Sequence, residues 1–76
     1  MISLLRQALS RHPFYPVTLV MVDGEKLVIE NENFAAVLAK AGLLYVEKPD
    51  QEEPLFLNLL LVREVRTKGL TPEFKD

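Results

Sequence analysis

The chain has no cysteine, no tryptophan, one histidine and three glycines in 76 residues. Each scarcity excludes something. Without cysteine there is no disulfide framework and no thiolate metal site. With His12 alone, a histidine-rich metal site is excluded as well. Three isolated glycines, each beside a turn, cannot build a phosphate-cradling loop. No uninterrupted apolar run, the leucine-rich Leu59 to Val62 included, approaches the roughly 20 residues that cross a membrane. No signal peptide is visible. Net charge is −2, so no overall basic field draws nucleic acid or anionic lipid. A cytoplasmic protein is expected, with no cofactor, no metal and no membrane contact.

Apolar side chains are the feature in surplus, at 49% of the chain. A domain of this length buries only roughly 60–65% of the surface its unfolded chain exposes. Its core supplies a net stability on the order of 3–5 kcal/mol. With disulfides and thiolate or histidine metal sites excluded, tight packing or self-association remains. The composition points to a homo-oligomer, with a two-fold dimer favoured.

One domain, 1–76, is expected, read as a helix in 1–12, strands across 17–67 and a loose tail over 69–76. Leu4, Leu5, Ala8 and Leu9, with Ile2, recur at helical spacing, while Arg6, Gln7 and Ser10 point the other way. Ser3 is a candidate cap. Pro13 lacks an N–H and stops the helix. Phe14, Tyr15 and Pro16 form an extended connection.

Val17 to Val22 has strand composition, and Asp23-Gly24 is a hairpin turn. A two-residue turn would put Lys26 and Glu30 on the face of Val17, Leu19 and Met21. A three-residue turn with Gly24 as a bulge puts Leu27 and Ile29 there instead. The bulge is preferred, because slipping by one residue buries two charges. It leaves Val20, Val22 and Val28 on the outer face with Thr18, Lys26 and Glu30. Three valines there read either as a contact surface or as plain strand propensity.

Phe34 to Ala41 also reads two ways. Its alanines favour a short helix capped by Asn33 and ended by Gly42. The surrounding strands favour a strand over Phe34 to Leu38, a turn over Lys40 to Gly42 and a strand over Leu43 to Glu47, and this is preferred. Lys48 to Pro54 is a polar loop. Leu55 to Leu57 restart a strand, Asn58 breaks it into a single helical turn near Leu59 and Leu60, and Leu61 to Thr67 is the last strand.

The run His12-Pro13-Phe14-Tyr15-Pro16-Val17-Thr18-Leu19, with the Asp23-Gly24 turn, resembles short bacterial proteins of unknown function. Phe34-Ala35-Ala36-Val37 and Asn58-Leu59-Leu60-Leu61-Val62 resemble theirs too. Those proteins usually carry Asp where this chain has Asn58, and often His-Pro where it has Asn31-Glu32. The resemblance spans roughly residues 3 to 66 and implies no activity and no site residues. The element order is similar to SH3-like and Sm-like folds. The expectation is a mainly β (α+β) protein: an N-terminal helix before a small, strongly bent, antiparallel five-stranded barrel.

For catalysis, His12 is the only usual base, and it precedes a proline at a helix end, where partial positive charge is welcome. The carboxylate groups Glu30/Glu32 and Asp50/Glu52/Glu53 fall in solvated turns with no apolar wall to shift them. No catalytic residue is assigned, and the protein is expected not to be an enzyme. Arg6 and Arg11 on the helix, with Arg63, Arg66 and Lys68 near the end, would make one basic patch if the helix packs beside the last strand. Tyr15 or Tyr45 could then stack a base, which makes an Sm-like RNA-binding accessory the alternative. The leading expectation is a non-enzymatic binding or structural module. It would act through self-association and macromolecular contact, using Val20, Val22, Val28 and the leucine-rich stretch from Leu55 to Val62.

Overall fold

A computed structural model describes residues 2–70, with side chains from Ser3 onward. The expected tail therefore falls mostly outside the described residues. Helix α1 spans Ile2–Ser10. Leu4, Leu5 and Ala8 are buried, Leu9 packs against the core, and Arg6, Gln7 and Ser10 are exposed, as the spacing requires. The helix already includes Ser3, so that residue lies inside the first turn instead of capping it.

The hairpin is built from β1, Val17–Met21, and β2, Lys26–Ile29. Val17 stands opposite Ile29 and Leu19 opposite Leu27. The Met21 amide donates to the Glu25 carbonyl at 2.8 Å and the Gly24 amide to the Met21 carbonyl at 2.9 Å. Gly24 has φ +90°. This is the three-residue turn with a glycine bulge, a left-handed position open to glycine without penalty. It puts Val17, Leu19, Leu27 and Ile29 in the core.

Phe34 to Ala41 takes the extended path. A 3-10 turn over Glu32–Phe34 leads into β3, Ala35–Leu38, and a second over Ala39–Ala41 leads into β4, Leu43–Val46. The Asn31 side chain, not that of Asn33, caps the first turn by accepting from the Asn33 amide at 2.9 Å. Gly42, at φ +68°, closes the second. Strand β5, Leu55–Asn58, ends where the Asn58 carbonyl oxygen of the side chain accepts the Leu60 amide at 2.9 Å. That caps a 3-10 turn over Leu59–Leu61, from which β6, Val62–Thr67, departs.

The described strands do not close into the expected five-stranded barrel. There are six strands among the described residues, in two separate antiparallel sheets ordered β2-β1-β6 and β3-β4-β5. The physical reason lies in the two polar breaks. Asn31 and Asn58 each cap a 3-10 turn, so the ladders stop between β2 and β3 and between β5 and β6. The Leu59–Leu61 turn still links the sheets: the Leu59 amide donates to the Gly42 carbonyl at 2.9 Å, and the Leu61 carbonyl accepts the Val22 amide at 2.9 Å. Leu59 and Val62 join Leu5, Leu19, Ile29, Leu44, Val46 and Val65 in a single buried cluster. Helix α1 packs on β3 and β6, one strand from each sheet. No helix among the described residues is long and apolar enough to cross a membrane.

Candidate interaction surfaces

Strand alternation divides each sheet into a core face and an outer face. On the first sheet, the outer residues of β1 and β2 are Thr18, Val20, Lys26 and Val28, with Glu64 and Arg66 beside them on β6. Val22 and Val28 are exposed, but Val20 is only 1% exposed. This corrects the reading of Val20 as surface available to a partner. It lies on the middle strand, directly between Lys26 of β2 and Glu64 of β6. The Glu64 side chain is itself only 14% exposed. The Arg66 Nε donates to Glu64 at 2.8 Å and Nη2 donates to the other oxygen at 3.2 Å. Arg66 chiefly, then Arg63 and Lys26, holds the Glu64 carboxyl below the usual glutamate range, against a smaller opposing effect of burial.

The second sheet differs. Its core face carries Ala35, Val37, Leu44, Val46, Leu55 and Leu57. Its outer face carries Ala36, Leu38, Leu43, Tyr45, Phe56 and Asn58. Asn58 is the only strongly polar side chain there, and it is turned to capping. Phe56 is 57% exposed and Leu38 40%. Tyr45 and Phe56 are cross-strand partners whose rings meet edge to face, with centroids 5.4 Å apart and planes at 61°. The Tyr45 hydroxyl donates to the Glu47 carboxylate. That bond, with smaller contributions from burial and the charge of Glu47, raises the tyrosine above its ordinary range. Leu60, two residues after the capping Asn58, is 85% exposed.

The leucine-rich stretch was legible as surplus apolar surface; the aromatic pair on the outer face was not singled out. A signal for it is present. The β4 segment LLYV and the first three residues of β5, LFL, have no polar position, so no alternation could give this sheet a wet face.

Between the hairpin and β5 lies an open cleft of about 430 Å³. Met21, Val22, Leu27, Leu55, Leu57 and Leu61 form its apolar wall. Val22 thus belongs to this cleft, while Val28 lies in a separate hollow with Glu30, Lys48, Pro49 and Asp50.

The five basic residues expected to make one patch are dispersed. Arg6 lines the groove between α1 and β3. Arg63 falls at the irregularity where the β1–β6 register shifts, and Arg66 is engaged by Glu64. Only Arg11 and Lys68 come together, both over the ring of Tyr15. Ser10 and His12 do not pair: the Ser10 hydroxyl donates to the Arg6 carbonyl at 2.7 Å, and His12 Nδ1 faces Glu32 at 3.7 Å. Among the described residues, no three His, Asp or Glu side chains converge as a metal site would need.

No family model, no curated protein and no solved structure matches the chain. The surfaces above therefore carry the functional argument alone.

Proposed function

We propose that this chain is a self-associating binding module of the cytoplasm, in which two copies pair through the outer faces of their β3-β4-β5 sheets. The observation that carries the reading is the sheet's two apolar faces, of which the core covers one. Sheets apolar on both sides are normally covered on both. A two-fold axis through this face sets Phe56, Tyr45 and Leu38 of one copy against the same residues of the other, so the surface is its own complement. Two aligned sheets packing face to face is an ordinary way to bury such surfaces.

Size decides the strength. Three strands of four residues span about 14 by 13 Å, a footprint on the order of 200 Å². Standard stable interfaces bury about 800 Å² per partner. The footprint falls well below that size. The pair is therefore weak and concentration-dependent, with a dissociation constant in the micromolar range or above. Contact, not chemistry, is its mode of action. What supports this is the engagement of the Ser10 hydroxyl by a backbone carbonyl and the solvent exposure of His12.

Sedimentation equilibrium over a concentration series tests the reading. The mass should climb from monomer toward dimer with concentration. A monomer mass held up to about 1 mM, where binding would be weaker than about 4 kcal/mol, overturns it. The RNA alternative retains a joint site at two of its five basic residues, Arg11 and Lys68.

A further inference from the structure

We propose that Arg11, Lys68 and Tyr15, at the junction of the helix end with the last strand, form a binding site for a phosphate group. The guanidinium of Arg11 is held in place from several sides. Its Nη2 donates to Thr67 Oγ1 at 2.8 Å. The Thr67 hydroxyl spends its single hydrogen on the Pro16 carbonyl at 3.0 Å, so towards Arg11 it acts only as an acceptor. The Arg11 Cζ stacks 4.9 Å from the centre of the Tyr15 ring. Nη1 sits against Gly69, where a Cβ would approach it to 3.1 Å. Nε is sealed from solvent with no hydrogen-bond partner among the described residues.

A second cation, the Lys68 ammonium, lies 5.1 Å from the centre of the same ring. Among the described residues no carboxylate makes an ion pair with either, whereas Arg66 and His12 both have one at hand. Two like charges gathered on one aromatic ring repel unless an anion joins them. A group with more than one charged oxygen suits both donors. With Nε sealed and one Nη2 hydrogen given to Thr67, Arg11 keeps its Nη1 hydrogens and the second Nη2 hydrogen for an anion, and the ammonium adds a mobile point charge. Ordering Arg11 in advance removes much of the entropy that binding would otherwise lose. A Cβ at Gly69 would require the guanidinium to shift by a few tenths of an ångström.

The site does not depend on sheet pairing, and its test is separate. Amide resonances of the full chain are followed at low salt during titration with inorganic phosphate, a nucleoside monophosphate and a short single-stranded RNA. Saturable shifts centred on Arg11, Lys68 and Gly69 are expected. Saturation by the first two ligands identifies a small phosphate ester as the source, and saturation by RNA alone identifies a phosphodiester backbone. Lys68→Gln should weaken binding about tenfold, as loss of a charge-assisted contact does. Arg11→Gln should weaken it at least as much, and Arg63→Gln should leave it unchanged. Lys68 is exposed, so its variant reports on binding even if Arg11→Gln impairs folding. Glu73 and Asp76 are present throughout, so an internal counterion would appear as an absence of binding. No saturable shift up to about 10 mM of any of the three ligands overturns the site. Equal weakening by Arg63→Gln also overturns it, since that would mean general charge attraction.

Discussion

Replacing Phe56 by alanine separates pairing from folding. A phenylalanine side chain contributes about 200 Å² when fully buried. At 57% exposure, about 110 Å² of it remains for a partner to cover. At about 25 cal/mol per Å² that is near 3 kcal/mol per protomer, and a two-fold interface contains the residue twice. Incomplete coverage at a small interface halves the total to about 3 kcal/mol, or roughly a hundredfold in the dissociation constant. The isolated chain loses much less. Its main loss is the edge-to-face contact with Tyr45, worth about 1 kcal/mol and a shift of about 4–8 °C in Tm. Sedimentation equilibrium should therefore find Phe56→Ala monomeric where the parent chain associates, while a thermal melt shows a folded protein. Val28→Lys, on the other sheet, is the control and should leave the mass unchanged. If Phe56→Ala associates like the parent chain, or if Val28→Lys abolishes association, the pairing face has been misassigned.

Four further outcomes are expected. Val20→Ala should cost about 2 kcal/mol in a urea melt, through lost burial and the cavity left behind, whereas Val22→Ala should cost under about 0.5 kcal/mol. Gly24→Ala meets no atom within 4 Å but must hold φ near +90°, so it should cost about 1 kcal/mol from backbone strain alone. Asn58→Ala removes the cap of the Leu59–Leu61 turn and should cost about 1 kcal/mol, measured the same way. In a tyrosinate absorbance titration of a Tyr15→Phe background, Tyr45 should ionise above its ordinary value, and Glu47→Gln should bring it down. The sign follows from the raised folded value. The Tyr45 bond stabilises the fold fully below the ordinary tyrosine range near 10, and this contribution is lost as pH rises through the folded value.

Much of the fold was legible because charge and turn chemistry agreed with hydrophobic alternation. Lys26 and Glu30 decided the hairpin register, Pro13 ended the helix, and Asn58 marked the helical turn before the last strand. The division into two sheets was not legible. Local patterns name strands but not whether a ladder runs through the residues between them, and here two asparagine-capped turns interrupt it. Val20 was read as available for the same reason. Alternation assigns a face, but burial depends on being the middle strand, and the β1–β6 neighbourhood is invisible to local pattern. The basic residues teach the complementary point. Arg63, Arg66 and Lys68 are neighbours in sequence but differ in their surroundings: Arg63 falls at a register shift, Arg66 turns to Glu64 and Lys68 lies past the end of the strand. Arg11 and Lys68, far apart along the chain, meet because α1 packs on β6.

The pairing of β1 has a consequence for synthesis. Its two ladders mature at different times. Strand β2 follows it after a short turn, so half of the sheet can form as soon as the hairpin leaves the ribosome. The other half needs β6, in which Thr67 comes to lie opposite Val17. Until that strand emerges, the nascent chain displays a valine-rich hairpin with one open edge, and nothing behind it but the helix. During the interval between those two events, that open edge has no partner within its own chain.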